Sequence, residues 1–111
     1  MRRQFKVPRH RPGVMNKTEQ RYADRLEAMK KRGEIESYKF EMVKFKLAKR
    51  TFYTPDFYVV LKDHIEIHEV KGFWMDHARV KIKVAAEQFP EFRWISARWK
   101  NKTIGWIFEE F

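Results

Sequence analysis

Two acidic residues and a lysine in the middle of the chain are of types that can bind a metal ion and activate water. Asp56 lies thirteen residues before Glu69, and Lys71 follows Glu69 by two positions. A strand over residues 65–71 would place Glu69 and Lys71 on one face, with side chains about 7 Å apart. A turn at residues 63–64 would bring Asp56 opposite Glu69. Two such carboxylates predict a site for a hard divalent cation, and a surface salt-bridge ladder on an ordinary hairpin is the alternative.

A third acidic residue, Glu19, lies near the start of the first predicted helix. This helix covers residues 16–32, because Asn16 is a good N-cap and Gly33 favours a helix end. Three apolar residues repeat at helical spacing on one face: Tyr22, Leu26 and Met29. Glu19 extends that buried stripe, but it also completes a capping-box pattern with Asn16. From the residues alone, both a functional and a capping role stay open.

After this helix the apolar period changes from 3.6 to 2, which predicts strands. The next predicted elements are strands at residues 43–47, at 51–61 with an interruption at 54–56, and at 65–71. A helix at Asp76–Gln88 and a strand at residues 92–97 follow, and residues 103–111 form either a fifth strand or a packed tail. This order predicts an α/β fold with a mixed sheet flanked by helices.

The composition is that of one basic domain without thiol chemistry. The 111 residues are too few for two separate cores, and 43% of them are hydrophobic, which supports a packed interior. The absence of cysteine excludes disulfides, thiol catalysis and cysteine-ligated zinc. Since the sequence shows neither an apolar run that could span a membrane nor a signal core, we expect a cytoplasmic protein without a membrane partner. The net charge of +10 favours a polyanionic partner.

Half of that net charge lies in residues 1–13, which contain no acidic residue. Prolines and a closing glycine disfavour regular structure in this segment. We therefore predict a flexible basic arm that contacts phosphates of a polyanion, followed by a single domain over residues 14–111; a solvated tail without function is the alternative. The cations of the arm are Arg2, Arg3, Lys6, Arg9 and Arg11.

Other charged side chains lie on the predicted helices and strands. Lys17, Arg79 and Lys81 are candidate phosphate contacts, with a solvated cationic surface as the alternative. His64 and His68 are four residues apart along a strand, which is too far for both to bind one zinc ion. We expect these histidines on the hairpin face opposite Glu69.

The residues around the carboxylates resemble a known nuclease pattern. Pro55-Asp56 followed by Glu69-Val70-Lys71 resembles the PD-(D/E)xK signature. The longer match comprises YTPDF at residues 53–57, EVKGFW at 69–74, Arg79, Lys81 and EQFPE at 87–91. It is similar to the phage endonuclease I type of Holliday-junction resolvase over residues 16–97.

The resemblance implies a role for each residue of the acidic site. Asp56 and Glu69 would bind Mg²⁺, for which Mn²⁺ could substitute, and the Val70 carbonyl would be a further ligand. Glu19 would complete the metal site, and Lys71 would be the catalytic lysine that orients or deprotonates the attacking water. The family has one more acidic residue before the TPDF strand. Glu41 is the expected counterpart and Glu36 the competitor.

For the whole protein, the resemblance implies a restriction-endonuclease-like core with the element order α-β-β-β-α-β. The implied activity is metal-dependent hydrolysis of DNA, with preference for branched DNA such as a four-way junction. A homodimer and the cytoplasm of a phage host follow from the same resemblance. An endonuclease of this fold that nicks or cuts duplex without junction preference is one alternative. A non-catalytic basic nucleic-acid-binding module is the other.

Overall fold

Two helices and seven strands make up the described part of this computed structural model, residues 12–72 and 76–111. In chain order they are α1 (Lys17–Lys31), β1 (Ser37–Phe40), β2 (Phe45–Ala48), β3 (Thr51–Tyr53), β4 (Phe57–Val60), β5 (Ile65–Lys71), α2 (Asp76–Gln88), β6 (Arg93–Asn101) and β7 (Gly105–Glu110). Within the described residues, no helix is long and apolar enough to cross a membrane.

Five strands form the main sheet in the spatial order β1-β4-β5-β6-β7, and β2 pairs with β3 in a separate hairpin. The neighbours β5 and β6 run parallel, whereas the other neighbours in the main sheet are antiparallel. Parallel neighbours need a crossover connection, and α2 lies in the one that joins β5 to β6. The predicted α/β fold with a mixed sheet and two helices is therefore confirmed.

The main sheet separates two buried apolar clusters. α1 packs on one face, and α2 packs on the other together with the β2–β3 hairpin. The first cluster includes Tyr22, Leu26, Phe57 and Val70, and the second includes Phe45, Tyr53, Ile67, Ile82 and Trp94. Successive side chains of β5 enter opposite clusters, because strand side chains alternate between the two faces. Both faces of β5 are consequently buried, and its polar residues must find partners inside the protein.

The first helix begins and ends where its sequence predicts. Asn16 is the N-cap, and its side chain accepts a hydrogen bond of 2.8 Å from the Glu19 N–H. Glu19 Oε1 in turn accepts a bond of 2.9 Å from the Asn16 N–H, which completes the capping box. The helix ends at Lys31, and Gly33 adopts a φ of +78°, a left-handed conformation that favours glycine. The capping role predicted for Glu19 is confirmed.

Two strand predictions were wrong in their details. The interruption predicted at residues 54–56 is confirmed, but the segments on either side of it, β3 and β4, belong to different sheets. Pro55 lies between them, and proline has no N–H to continue a ladder. The strand predicted at 43–47 begins at Phe45. It pairs with β3 and is not part of the main sheet, and its buried side chains pack toward α2. The short strand β1, which pairs with β4, was not predicted.

The β4 residue Phe57 supports a test of the packing on the α1 face. Its side chain is fully buried, with ring centroids 5.6 Å from Tyr22 and 5.3 Å from Phe40. We expect Phe57→Ala to lower the free energy of unfolding by about 3–5 kcal/mol, because it removes buried contacts and leaves a cavity. Urea unfolding followed by circular dichroism measures this loss.

Phe52→Ala is the matched control, because Phe52 is 43% exposed on β3. We expect it to cost less than about 1 kcal/mol. Equal losses for the two variants would contradict the assignment of Phe57 to the core.

Candidate active site

The carboxylates of Asp56 and Glu69 lie side by side at one end of the main sheet. Phe57 of β4 pairs with His68 of β5, which places Asp56 opposite Glu69 across this antiparallel pair. Asp56 Oδ2 accepts a hydrogen bond of 2.7 Å from the Val70 N–H, and Glu69 Oε2 accepts one of 3.2 Å from the Asp56 N–H. Both side chains are buried. The predicted convergence of the two acids is confirmed, and each strand holds the carboxylate of the other.

Glu19 brings a third carboxyl group to this place from the first turn of α1. Its side chain is buried, and it shares a hydrogen bond with the Asp56 side chain. Burial, the negative charge of Glu69 and the bond to Glu19 all raise the pKa of Asp56 well above its usual range. The hydrogen bond from the Val70 N–H lowers the pKa of Asp56, but by less than these effects raise it. Glu19 therefore caps α1 and also belongs to the acidic cluster.

Lys71 supplies a positive charge at the edge of the cluster. Its Nζ lies 3.1 Å from Glu69 Oε1, so the two side chains share one face of β5 as predicted. Burial lowers the pKa of Lys71, but the carboxylates of Glu69 and Asp56 raise it more, and the net direction is upward. Lys71 thus stands as a charged hydrogen-bond donor beside the acids.

Of the two candidates for an additional acid, the structure brings Glu41 to the cluster. The Glu41 N–H donates a bond of 2.7 Å to the Asp56 carbonyl, and Glu41 lines the same cleft as Glu19 and Asp56. Glu36 lies at the other end of β4, where its N–H donates to the Val60 carbonyl. Glu41 has a φ of +50°, which is uncommon for a residue other than glycine.

These side chains line a cleft of about 480 Å³ between the start of α1, the end of β5 and the start of α2. Its polar lining consists of Asn16, Glu19, Glu41, Thr54, Asp56, Glu69, Lys71 and His77. A neighbouring cleft of about 250 Å³ shares Glu69, Lys71 and His77 with it, and Lys81 lies at its edge. The site is therefore acidic at its floor and basic at its rim.

The buried carboxylates in the cleft, those of Glu19, Asp56 and Glu69, offer only oxygen atoms, as Mg²⁺ and Mn²⁺ prefer. Among the described residues, no three His, Asp or Glu side chains form a ready metal centre. Within the protein, Glu69 Oε2 accepts bonds from both the Tyr53 hydroxyl and the Asp56 N–H. The remaining oxygens of Asp56, Glu69 and Glu19 could hold a cation. The residues thus fit such an ion, while their role as ligands, and that of the Val70 carbonyl, stay predictions.

The predicted DNA contacts have different surroundings. Lys17 and Lys81 are exposed, and Lys81 faces the basic rim of the site. The Arg79 guanidinium forms two bonds to the Glu109 carboxylate, at 2.7 and 2.8 Å, so a phosphate would have to compete with Glu109. The five cations of the arm (Arg2, Arg3, Lys6, Arg9 and Arg11) lie outside the described residues.

One residue of the site, Tyr53, and one neighbour of Lys71 in the sheet, Arg98, were missed in the sequence. The buried Tyr53 hydroxyl donates a bond of 2.7 Å to Glu69 Oε2, and burial raises the pKa of Tyr53 well above its usual value. Arg98 pairs with Lys71 in the parallel β5–β6 register, which puts both cations on the same face of the sheet. The only signal for Tyr53 in the sequence was its position directly before Thr54 and Pro55. Arg98 had none, because the strand was predicted to end at residue 97.

The opposite face of β5 carries a hydrogen-bonded network of two histidines and a glutamate. His68 Nε2 lies 2.8 Å from Glu66 Oε1, and His64 Nε2 lies 2.8 Å from Glu66 Oε2. The Tyr22 hydroxyl lies 2.6 Å from His68 Nδ1 and ties α1 to the sheet. The predicted location of His68 opposite Glu69 is confirmed, but its side chain is buried and does not decorate the surface. Glu66 separates the two histidines.

Comparisons of the chain with protein-family models, with curated proteins and with solved structures found no match.

Binding of a divalent cation gives a test of the site that does not depend on catalysis. At about 100 times its dissociation constant, Mn²⁺ should raise the free energy of unfolding by about 2.7 kcal/mol, because it binds only the folded protein. Glu69→Gln should abolish this increase, as measured by urea unfolding with and without Mn²⁺. Glu66→Gln is the matched control on the other face of β5 and should retain the increase. If Glu69→Gln retained the increase and Glu66→Gln lost it, the cation would bind outside the acidic cleft.

The network around Glu66 predicts a specific acid sensitivity. Hydrogen bonds from His68 and His64 lower the pKa of Glu66 to about 2 against the opposing effect of burial. A carboxylate with a lowered folded-state pKa stabilises the fold above its unfolded pKa, and this contribution disappears as pH falls toward the folded value. Glu66→Gln should therefore flatten the loss of stability between about pH 4.5 and pH 2. Urea unfolding across this range measures it, and an unchanged slope, equal to that of the exposed-site control Glu36→Gln, would contradict the assignment.

Proposed function

We propose that this chain is a metal-dependent endonuclease that hydrolyses DNA phosphodiesters. The observation that carries the proposal is the convergence of Asp56, Glu69 and Lys71 at one end of the sheet, with Glu19 joining them from α1. Adjacent acids with a lysine at hydrogen-bond distance are suited to phosphodiester hydrolysis, because this reaction needs both a cation and an oriented water. The net charge of +10 suits a nucleic-acid substrate.

Each residue has a role that follows from its surroundings. Asp56, Glu69 and Glu19 hold the cation, Mg²⁺ or Mn²⁺. When bound, it supplies positive charge for the phosphate and lowers the pKa of water. Lys71, as a charged donor, orients the attacking water and screens the charge that develops on the phosphate. Tyr53 holds Glu69 Oε2, so that Oε1 is directed toward Lys71.

The finer fold assignment is part of the same proposal. We infer a restriction-endonuclease-like core in which α1, three antiparallel strands, α2 and the parallel strand β6 follow the order α-β-β-β-α-β. The antiparallel set β1-β4-β5 and the crossover from β5 to β6 through α2 support this order. The β2–β3 hairpin would then be an insertion that covers α2 and supplies Tyr53.

For the substrate, we propose branched DNA cut by a homodimer, in the cytoplasm of a phage host. This rests on the resemblance of residues 53–57 and 69–74 to the resolvase motifs, and a dimer would provide one site for each of two strands. An endonuclease of the same fold that acts on linear duplex is the alternative. Cleavage of a four-way junction, a flap and a matched linear duplex at equal concentration separates the two.

Substitutions in the acidic site test the activity. Asp56→Asn, Glu69→Gln and Lys71→Met should each slow plasmid cleavage in Mg²⁺ by at least about 100-fold, because each removes a group that acts in the transition state. Binding of DNA and circular-dichroism spectra should stay close to wild type. Glu36→Gln, which changes an acid at the far end of β4, should cleave at the wild-type rate.

The same assay distinguishes the nuclease from a basic binding module. The nuclease loses all cleavage in EDTA and regains it on addition of Mg²⁺. A binding module shifts DNA in gels but never cuts it, with or without metal. Wild-type turnover by purified Asp56→Asn protein would also contradict the proposed site.

A further inference from the structure

The hairpin formed by β6 and β7 extends beyond the catalytic end of the sheet. β5 ends at Lys71, which pairs with Arg98 of the parallel strand β6. β6 continues to Asn101, three residues further, which corresponds to about 10 Å at 3.3 Å per residue. The tip of the hairpin, residues 100–104, therefore stands beyond the end of β5 from which Glu69 and Lys71 face the cleft.

This tip has a well-defined conformation. Asn101 Oδ1 accepts hydrogen bonds of 2.9 and 2.8 Å from the N–H groups of Thr103 and Ile104, which closes the turn. Gly105 follows with a φ of +81°, a conformation that favours glycine. The backbone of the turn is therefore held in a defined conformation.

The hairpin is also attached to the helix that carries Glu19. Trp99 and Trp106 face each other across the two strands, with ring centroids 5.3 Å apart. The Arg21 guanidinium of α1 lies 4.3 Å from the centroid of the Trp99 ring. The position of the tip relative to the acidic site is thus fixed by α1 as well as by the sheet.

The side chains at the tip combine positive charge with one exposed apolar group. Lys100 and Lys102 are exposed, and residues 92–108 contain no acidic residue. Ile104 is 59% exposed and lies between these lysines and Gly105 at the tip. Lysines that flank an exposed apolar side chain are typical of elements that bind phosphates and press a wedge against DNA bases.

We propose that the tip of the β6–β7 hairpin binds the DNA that flanks the scissile phosphate. Lys100 and Lys102 contact phosphates, Ile104 packs against the base stack in the minor groove, and Arg98 reaches the phosphate beside Lys71. The proposal rests on the proposed function, because it takes DNA as the substrate of the acidic site. A second copy of this chain docked on Ile104 is the competing occupant, and sedimentation of the Ile104→Ser variant excludes or reveals it.

The salt dependence of DNA binding tests the two lysines. The full chain is titrated with a duplex in EDTA at several salt concentrations, so that no cleavage occurs. The double variant Lys100→Gln/Lys102→Gln should reduce the log–log slope by about 1.8, since each phosphate contact contributes about 0.9. The control Lys30→Gln/Lys31→Gln makes the same charge change at the far end of α1, about 20 Å from its N-cap, and should leave the slope unchanged.

A fluorescent base tests the apolar wedge. Wild-type protein should increase the fluorescence of 2-aminopurine placed in the duplex, because partial unstacking relieves quenching. Ile104→Ser should remove this increase, and Val80→Ser, at an exposed position on α2, should retain it. Three results would each overturn the proposal. The first is an equal log–log salt slope for the two double-lysine variants, and the second is an unchanged 2-aminopurine fluorescence increase with Ile104→Ser. The third is a dimer, seen in sedimentation, that only Ile104→Ser dissociates.

These outcomes are separable from those of the nuclease proposal. If the hairpin variants differ from their controls but the wild type never cuts DNA in Mg²⁺, the hairpin assignment holds and the nuclease proposal fails. If the wild type cuts DNA and the hairpin variants behave like their controls, only the hairpin assignment fails. A wild-type chain that does not bind DNA at all contradicts both.

Discussion

Three carboxyl groups share a buried space at one end of the sheet, and this crowding of like charge is the constraint on which the rest of the structure depends. Asp56, Glu69 and Glu19 are each buried to more than nine-tenths of their surface. Such groups are stable together only if protons, cations or hydrogen bonds offset their repulsion and their loss of hydration. The Val70 N–H, the Tyr53 hydroxyl and Lys71 provide part of this compensation. A divalent cation would provide the remainder.

The central strand β5 connects the acidic site to the rest of the domain. On one face, Glu69 and Lys71 line the cleft, and on the other, His68 bonds to the Tyr22 hydroxyl. Because Tyr22 lies one turn after Glu19 on α1, the His68 bond helps to fix the distance between the helix carboxylate and the sheet. The two faces of one strand therefore position acids that are fifty residues apart in sequence. A loss of packing on the α1 face would therefore disturb the geometry of the acidic site even when no residue of the site is changed.

The sequence was sufficient for the features that depend on local spacing. The turn before Ile65 and the alternation through Glu69 predict where Asp56 and Glu69 meet, and the spacing of Asn16 and Glu19 predicts the capping box. That Glu19 joins the two acids followed only from the family resemblance. Features that depend on long-range pairing were not accessible. Arg98 lies beside Lys71 only because β6 pairs with β5 in one particular register, and nothing near Arg98 in the sequence encodes that register. The choice between Glu41 and Glu36 as the additional acid was open for the same reason, since it depends on how the unpredicted strand β1 pairs with β4.

The most direct test of the account is the position of a bound metal ion. A crystal of the full chain grown with Mn²⁺ should show an anomalous difference peak between the carboxylates of Asp56 and Glu69, within ligand distance of both. The same crystal form of Glu69→Gln should lack that peak, since the variant loses a charged oxygen donor. A peak at His64 and His68 instead, or no peak at the acidic cleft at Mn²⁺ concentrations that support cleavage, would contradict the account.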